Sequence, residues 1–197
     1  MTAVLQTEHS ALVLHALEPD VHALLSTCIE AVDAELDSNP EIIVYGKVCH
    51  QHRSVGFYSD TSHGYNYSTT HTPSKPMHDC LRELMSYINH KFDCEYNGIL
   101  INKYSNGEDY IGRHSDDERG LDAKSGVIAL SFGETRTFRI RHKATGKIVS
   151  DAPTDTQQII QTAGDFQKEF THEVPVQKKS KGLDIHSPLE SMTFKLT

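Results

Sequence analysis

The chain has 197 residues, a formal net charge of -8, and a composition of 37% hydrophobic and 23% charged residues. This length predicts about one domain, at roughly 150 residues per domain, and the composition is that of a globular protein rather than collagen, a coiled coil or a disordered chain. The acidic balance disfavours binding of nucleic acid by overall charge. The unusual count is that of histidine, with 13 residues, which raises the question of a bound metal.

The cysteines and the first residues of the chain predict a reducing compartment. Cys28, Cys49, Cys80 and Cys94 are widely spaced and form no C-x-x-C pair, so neither a zinc cage nor a disulfide framework is expected. No apolar run approaches the roughly 18 residues of a membrane span, and no basic segment of a secretory signal is visible at the start. We therefore expect a nuclear or cytoplasmic protein that is not secreted and contacts no membrane. We also expect a monomer.

A helix and a strand are predicted near the start of the chain. Residues 1–17 lack a clear period, and we expect them to form a partly loose, flexible N-terminus. Asp20 can cap a helix whose apolar residues over 21–32 fall on one stripe, and residues 37–40 break it. Residues 42–45 are then predicted to form a strand that ends at Gly46.

The rest of the chain predicts a second helix followed by strands. Residues 47–76 are polar and rich in His, Ser, Thr and Tyr, which predicts short strands and long loops. Apolar residues on one face predict a helix over 75–91. Strands are predicted over 98–104, 127–132, 137–141, 157–161 and 191–196. Helices followed by many short strands indicate an α+β fold, with the helices on one side of a β-sandwich or jelly roll.

His114-Ser115-Asp116 is the first candidate for a metal site. In an extended segment the side chains of His114 and Asp116 point to the same face and can bind one ion. His172, near the start of another predicted strand, can supply a third ligand. Two histidines and one carboxylate form the facial triad of non-haem Fe(II) oxygenases. The alternative is a solvated loop of ordinary polar residues, because H-x-D is a common tripeptide.

Further motifs surround the H-x-D tripeptide and lie in residues 100–104, 111–118, 131–133, 138–143, 164–175 and 192–195. In their order along the chain they resemble the AlkB family of Fe(II)/2-oxoglutarate-dependent dioxygenases. The resemblance implies a double-stranded β-helix, or jelly-roll, core with flanking N-terminal helices. It implies a single dioxygenase domain over 18–197, with helices and a nucleotide-recognition region over 18–97 and the catalytic core over 98–197. It also implies Fe(II) held by His114, Asp116 and His172, with 2-oxoglutarate and O2 as cosubstrates.

For the cosubstrate, Asn102 and Tyr104 match the family's N-x-Y pair that hydrogen-bonds 2-oxoglutarate. Ser191 and Lys195 fall on the family's R-x-N/S-L-T-F-R strand, where the two arginine positions are here Leu189 and Lys195. An ammonium is a point charge and lacks the two parallel bonds of a guanidinium. Three interpretations are open at this stage.

In the first, Lys195 serves alone. In the second, Arg139 or Arg141 reaches the pocket. In the third, the pocket has changed. The alternative role of these two arginines is a solvated face. They also belong to a basic cluster, which fits a short track for phosphates. Its members are Arg136, Arg139, Arg141, His142, Lys143 and Lys147.

For the substrate, the resemblance implies a flipped nucleic-acid base. Tyr67 matches the aromatic residue that stacks on the base, and Tyr65 a nearby polar aromatic. Tyr45 matches the wedge that fills the gap left in the duplex. Asp117 and Glu118 follow the H-x-D motif, where family members contact the base. The alternative for the three tyrosines is half-buried packing within a sheet.

The function that the resemblance implies is oxidative demethylation of N-alkylated bases in DNA or RNA, with release of formaldehyde, succinate and CO2. Two alternatives follow from Leu189 and Lys195. One is a catalytically altered, AlkB-like protein that only binds nucleic acid. The other is a dioxygenase that acts on a substrate other than nucleic acid.

Overall fold

The computed structural model describes residues 1–67, 70–117, 126–154, 158–177 and 191–196. Within them, helix α1 spans Pro19–Val32 and leads into a short 3-10 helix at Asp33–Glu35, α2 spans Asp79–Phe92, and the four-residue α3 spans Phe166–Glu169. The strands, in chain order, are β1 (Thr2–Gln6), β2 (Ser10–Ala16), β3 (Asp37–Ser38), β4 (Glu41–Val44), β5 (Lys47–His50), β6 (Ser54–Tyr58), β7 (Gly64–Tyr67), β8 (Thr70–Lys75), β9 (Ile99–Tyr104), β10 (Ile111–His114), β11 (Val127–Gly133), β12 (Thr137–His142), β13 (Ile148–Pro153), β14 (Gln158–Gly164), β15 (Phe170–Val174) and β16 (Ser191–Leu196).

Two β-sheets lie on opposite sides of one cavity. The major sheet has ten strands, in the order β1-β2-β14-β11-β16-β9-β6-β8-β7 with β3 beside β6. The minor sheet has the order β10-β15-β12-β13, and β4 and β5 form a separate hairpin. Side chains from both sheets line the cavity between them. The predicted α+β fold with a jelly-roll core is therefore confirmed.

Helices α1 and α2 cover the face of the major sheet that points away from the cavity. Their buried residues recur three or four positions apart, which is the spacing of one helix face. These residues are Val21, Leu25, Cys28 and Val32 on α1, and Leu81, Leu84 and Ile88 on α2. They share one apolar cluster with Ile99, Ile101 and Phe194 of the central strands. Full burial of a Leu or Ile side chain contributes about 1.5–3 kcal/mol, so this layer is a major source of folding free energy.

The expectation of a loose N-terminus over residues 1–17 is wrong. Strand β2 pairs with β14 from Ser10, opposite Gly164, to Ala16, opposite Gln158. Leu12 is fully buried, and its cluster includes Leu14 and Phe166. The physical reason is period-2 alternation over Ser10–Ala16, where every second residue from Ser10 to Leu14 is buried.

The predicted helix cap also needs correction. Glu18, with extended backbone angles, occupies the N-cap of α1, and Pro19 follows at the first helical position. Proline is favoured there because the first helical N–H has no partner within the helix. Asp20 therefore lies in the first turn, where its negative charge interacts favourably with the helix dipole. None of the helices in the described part of the chain has the length and apolar character that crossing a bilayer requires.

Candidate functional site

The predicted metal ligands meet at one end of the minor sheet. His114 ends β10 and lies opposite His172 of β15 in the strand register. Asp116 follows two residues after β10, and the ligand atoms of the three side chains all lie within 4.8 Å of one another. The Nε2 atoms of His114 and His172 lie 3.6 Å and 3.4 Å from the two carboxylate oxygens of Asp116. The structure thus assembles the triad that the sequence predicts.

The protonation states of His114 and Asp116 suit a metal ligand set. Nδ1 of His114 lies 2.9 Å from the Gly112 carbonyl oxygen, which can only accept, so Nδ1 carries the proton and Nε2 keeps its lone pair. Burial, helped by the charges of His172 and Lys195, lowers the pKa of His114 to about 3, so its imidazole is neutral. Burial alone would raise the pKa of Asp116, but the ammonium of Lys195, followed by His172, holds that pKa well below its usual range.

These residues fit Fe(II). Ligands about 2.1 Å from one ion lie roughly 3–4 Å apart, which matches the separations between Asp116 and the two imidazoles. The ring of His172 is held by stacking on Phe138, at 4.9 Å between ring centroids. Its buried Nδ1 has no hydrogen-bond partner within the described residues. The donor set is two imidazoles and one carboxylate, which is the facial triad.

The cavity continues inward from the triad along the inner face of the major sheet. Asn102 of β9 lies opposite Thr193 of β16, and Thr193 lies opposite Ser131 of β11. All three line the cavity, as does Tyr104, two residues beyond Asn102. Desolvation raises the pKa of Tyr104 to about 12, so its hydroxyl keeps its proton. Asn102 and Tyr104 therefore share one pocket with the metal ligands, as expected from their alternation on a strand. Their contact with 2-oxoglutarate stays a prediction.

Lys195 is buried in the same cavity. Its ammonium donates to Oδ1 of Asp116 at 2.5 Å and to the hydroxyl of Tyr65 at 2.7 Å. Ser191 is buried opposite Tyr104, but it is not among the described side chains that line the cavity. Leu189 lies outside the described residues.

The alternative in which Arg139 or Arg141 reaches the cavity is contradicted. Arg139 makes two hydrogen bonds to the carboxylate of Asp151, at 2.9 Å and 2.8 Å. Arg141 donates to Glu173 at 2.9 Å. Both side chains are therefore held by carboxylates of the minor sheet, and neither is among the described residues that line the cavity.

An open groove lies on the other side of His114. Its lining includes the β4–β5 hairpin, Tyr67 and Asp117. The ring of Tyr67 meets that of His114 edge to face, at 5.6 Å between centroids. Asp117 forms a 2.9 Å ion pair with Lys143 at the surface. Both residues thus lie beside the groove, and their contact with a base stays a prediction, whereas Glu118 lies outside the described residues.

The other two predicted substrate tyrosines differ sharply in exposure. Tyr45 is fully exposed at the tip of the hairpin, where Tyr45 and Gly46 both have positive φ. Such angles give the tight turn that matches the twist of two hairpin strands. Tyr65 is only 5% exposed and is not among the described residues that line the groove. The structure thus directs the hydroxyl of Tyr65 toward Lys195.

Sequence reasoning missed Arg53 and assigned Arg136 to an exposed basic cluster. Arg53 is buried, and its Nε donates to Oδ1 of Asn102 at 2.7 Å. Arg136 is also buried, with its guanidinium 5.2 Å from the ring centroid of Tyr104. A single sequence holds no signal for this placement, because a buried arginine and a surface arginine carry the same side chain.

Comparisons with known proteins agree with this geometry. Residues 12–194 match the model of the 2OG-Fe(II) oxygenase superfamily. The chain is 30% identical to human DNA oxidative demethylase ALKBH2 over 159 residues, which cover 77% of this chain and 59% of that protein. It is 29% identical to human alpha-ketoglutarate-dependent dioxygenase alkB homolog 3 over 153 residues, covering 74% of this chain and 51% of that protein. The chain thus spans about half to three fifths of the length of these relatives.

A solved structure supports the fold. The structure of OsALKBH1 superposes with a TM-score of 0.59 at 14% identity, and the superposition covers 97% of this chain and 99% of that one. The superfamily match indicates Fe(II) as the metal and 2-oxoglutarate and O2 as the cosubstrates. The clustered side chains of His114, Asp116 and His172 supply the metal ligands. On its ordered motifs, its assembled triad and these matches, the chain belongs to the AlkB family of the 2OG-Fe(II) oxygenase superfamily.

Proposed function

We propose that the protein is an Fe(II)/2-oxoglutarate-dependent dioxygenase that oxidatively demethylates N-alkylated bases in DNA or RNA. One observation carries the proposal. All three residues of the triad line the cavity, and His114 also lines the groove. A cosubstrate in the cavity and a large substrate in the groove can therefore both approach the same metal. The relatives named above are a DNA oxidative demethylase and an alpha-ketoglutarate-dependent dioxygenase.

On the cavity side, His114, Asp116 and His172 would hold Fe(II). When bound, this metal supplies the oxidative decarboxylation of 2-oxoglutarate and the oxidation of an N-methyl carbon, with release of succinate, CO2 and formaldehyde. The Asn102 amide and the Tyr104 hydroxyl offer hydrogen bonds to the cosubstrate. Lys195 is the only lysine or arginine among the described residues that line the cavity. A buried dicarboxylate needs such a cation, because its desolvation is otherwise very costly.

On the groove side, the chain's own residues would receive the base. A base inside a duplex must be flipped out, at an unstacking cost of a few kcal/mol. The exposed ring of Tyr45 would enter the stack in its place, as apolar wedges do. Tyr67 would pack against the flipped base beside His114, and the carboxylate of Asp117 would stabilise a base that carries a positive charge.

The experiment is a turnover assay with N-methylated oligonucleotides. The proposal expects succinate and formaldehyde in equal amounts from the wild type, and loss of both products in His114→Ala. The matched control is His90→Ala on the exposed end of α2, which should keep the activity of the wild type. Oligonucleotide binding without succinate release would instead favour the altered binding protein. Succinate release only with a substrate other than nucleic acid would favour the second alternative.

We also propose a nuclear or cytoplasmic location and a monomeric state. The absence of disulfides among the four cysteines supports a reducing compartment. Light scattering after size-exclusion chromatography measures the oligomeric state, and a mass near twice 22.1 kDa would contradict the monomer. Imaging of a tagged full chain tests the location, and signal confined to the secretory pathway would contradict it.

A further inference from the structure

Three buried polar side chains form a continuous chain across the site. The ammonium of Lys195 donates to the hydroxyl of Tyr65 at 2.7 Å and to Oδ1 of Asp116 at 2.5 Å. All three residues are buried: Tyr65 is 5% exposed, Lys195 is 8% exposed and Asp116 is 6% exposed. A lysine ammonium has three donors on a flexible stem. Its position in a buried site is therefore set by the acceptors around it.

Tyr65 reaches this position from the far edge of the major sheet. It lies on β7, which is separated from β16 by β9, β6 and β8 in the strand order. In the strand register, Lys195 of β16 lies opposite Leu100 of β9, and Leu100 lies opposite Phe57 of β6. The ring of Phe57 lies 5.6 Å from that of Tyr65. The ring of Tyr65 is thus fixed by apolar packing, so its hydroxyl is a rigid acceptor for Lys195.

A second connection runs parallel to the first. Tyr67, two residues further along β7, lines the groove, and its ring centroid lies 5.6 Å from the guanidinium of Arg53. Arg53 in turn donates from Nε to Oδ1 of Asn102 at 2.7 Å. Each tyrosine of β7 therefore contacts a buried cation, and each cation contacts a residue predicted to hold the metal or 2-oxoglutarate. Two connections of this kind therefore link β7 to the cavity.

We propose that Tyr65 is a positioning residue for 2-oxoglutarate rather than a contact for the base. Its hydroxyl fixes the ammonium of Lys195 between Asp116 and the cavity, so the cation is in place before the cosubstrate arrives. Strand β7 then serves both sides of the site, with Tyr67 toward the groove and Tyr65 toward the cavity. This inference rests on the proposed function, because it assumes that the cavity binds 2-oxoglutarate.

The test is Tyr65→Phe, which removes only the hydroxyl. Protein loaded with Fe(II) under anaerobic conditions is titrated with 2-oxoglutarate, and the metal-to-ligand charge-transfer band is followed without any oligonucleotide. We expect the Kd for 2-oxoglutarate to rise roughly tenfold, the usual effect of losing one hydrogen bond to a charged group. The Kd for a methylated oligonucleotide should stay within about twofold of that of the wild type.

The chain offers a matched control. The hydroxyl of Tyr87 on α2 accepts a hydrogen bond from Lys91 at 2.8 Å, away from the site. Tyr87→Phe therefore removes the same kind of tyrosine–lysine hydrogen bond and should leave both affinities unchanged. Thermal unfolding of each variant checks that Tyr65→Phe keeps the fold.

A double-mutant cycle with Lys195→Arg gives a second measurement. A guanidinium is planar and pre-organised and can pair with Asp116 through two parallel bonds, so it depends less on a tyrosine acceptor. In the Lys195→Arg background, Tyr65→Phe should change the Kd for 2-oxoglutarate by less than about threefold. Equal losses in the two backgrounds would show that Tyr65 and Lys195 act independently and would overturn the inference.

The remaining outcomes separate the inference from the proposed function. If the wild type shows the band and Tyr65→Phe titrates identically, the inference is overturned and the proposed function stands. A loss of oligonucleotide affinity with unchanged 2-oxoglutarate binding would make Tyr65 a substrate contact and also overturn it. If the wild type shows no band at any concentration, the proposed function fails and the inference fails with it.

Discussion

Replacement of Arg136 by methionine tests how much this buried arginine stabilises the segments that surround the cavity. Arg136 is 4% exposed, and its two terminal nitrogens donate to three backbone carbonyl oxygens. These belong to Asn106 at 3.1 Å, Asp109 at 2.7 Å and Pro175 at 3.1 Å. The loop that leaves Tyr104 and the end of β15 are therefore held by one side chain. Methionine keeps the apolar stem and removes every donor.

The expected loss of stability follows from these contacts. Three hydrogen bonds from a charged donor, at about 1.5–3 kcal/mol each, give a gross contribution of roughly 4.5–9 kcal/mol. Part of this is offset by the desolvation of the guanidinium, which lowers the pKa of Arg136. Its Nε is also buried without a partner in the described residues. We expect a net loss of about 2–4 kcal/mol in the free energy of unfolding, or a fall of roughly 5–15 °C in Tm.

The assay is urea unfolding, with Arg139→Met as the control. Arg139 lies three residues later, on β12, and makes two hydrogen bonds to Asp151, but at the surface such a pair contributes at most about 1 kcal/mol. Arg136→Met should lower the unfolding midpoint much more than Arg139→Met, at unchanged slope. It should also weaken 2-oxoglutarate binding, because the ring of Tyr104 loses its contact with the guanidinium of Arg136. Equal midpoints for the two variants would refute the reasoning that burial decides the effect.

Further predictions concern the metal, the cosubstrate and the substrate. Mn(II) at about 100 times its Kd should stabilise the wild type by about 2.7 kcal/mol, whereas a similar shift in His114→Ala would contradict the assigned ligand. Ser131→Ala should leave the Tm unchanged, because the buried Oγ of Ser131 has no partner in the described residues. It should weaken 2-oxoglutarate binding in the charge-transfer titration, and a lowered Tm would refute this account. Arg53→Met should raise the Kd for 2-oxoglutarate several-fold through Asn102, and an effect confined to oligonucleotide binding would argue against that link. Tyr45→Ala should reduce demethylation of duplex substrates at least about tenfold with little change on single strands, and equal losses on both would rule out a wedge.

The sequence was sufficient for the metal ligands and for most elements of the core. The ordered motifs around His114 and His172 predicted the triad, and apolar periodicity predicted α1, α2 and the central strands. The register that sets His114 opposite His172 could not be derived, because strand pairing depends on residues far apart in the chain. Strand β2 was missed for a related reason, since a short amphipathic segment is stable only against its partner β14.

The roles of polar residues were the least predictable from sequence. Tyr65 and Tyr67 look alike two positions apart, yet one contacts a buried ammonium and the other lines the groove. Arg53 lies in a polar stretch typical of a surface loop, although tertiary packing buries it against Asn102. The direction of each side chain was set by neighbours on other strands, and no local pattern encodes those neighbours.

The alternation of side chains along β16 has a consequence for how the protein can vary. Met192, Phe194 and Leu196 pack in the apolar cluster under the helices, whereas Thr193 and Lys195 line the cavity. The even-numbered residues of β16 from Met192 to Leu196 thus stabilise the core, and the odd-numbered residues Thr193 and Lys195 form the cavity wall. A substitution at a cavity position, such as Lys195→Arg, can therefore alter ligand preference without weakening the core. A single inserted or deleted residue would exchange the two sets, put Lys195 against the helices, and abolish folding and activity together.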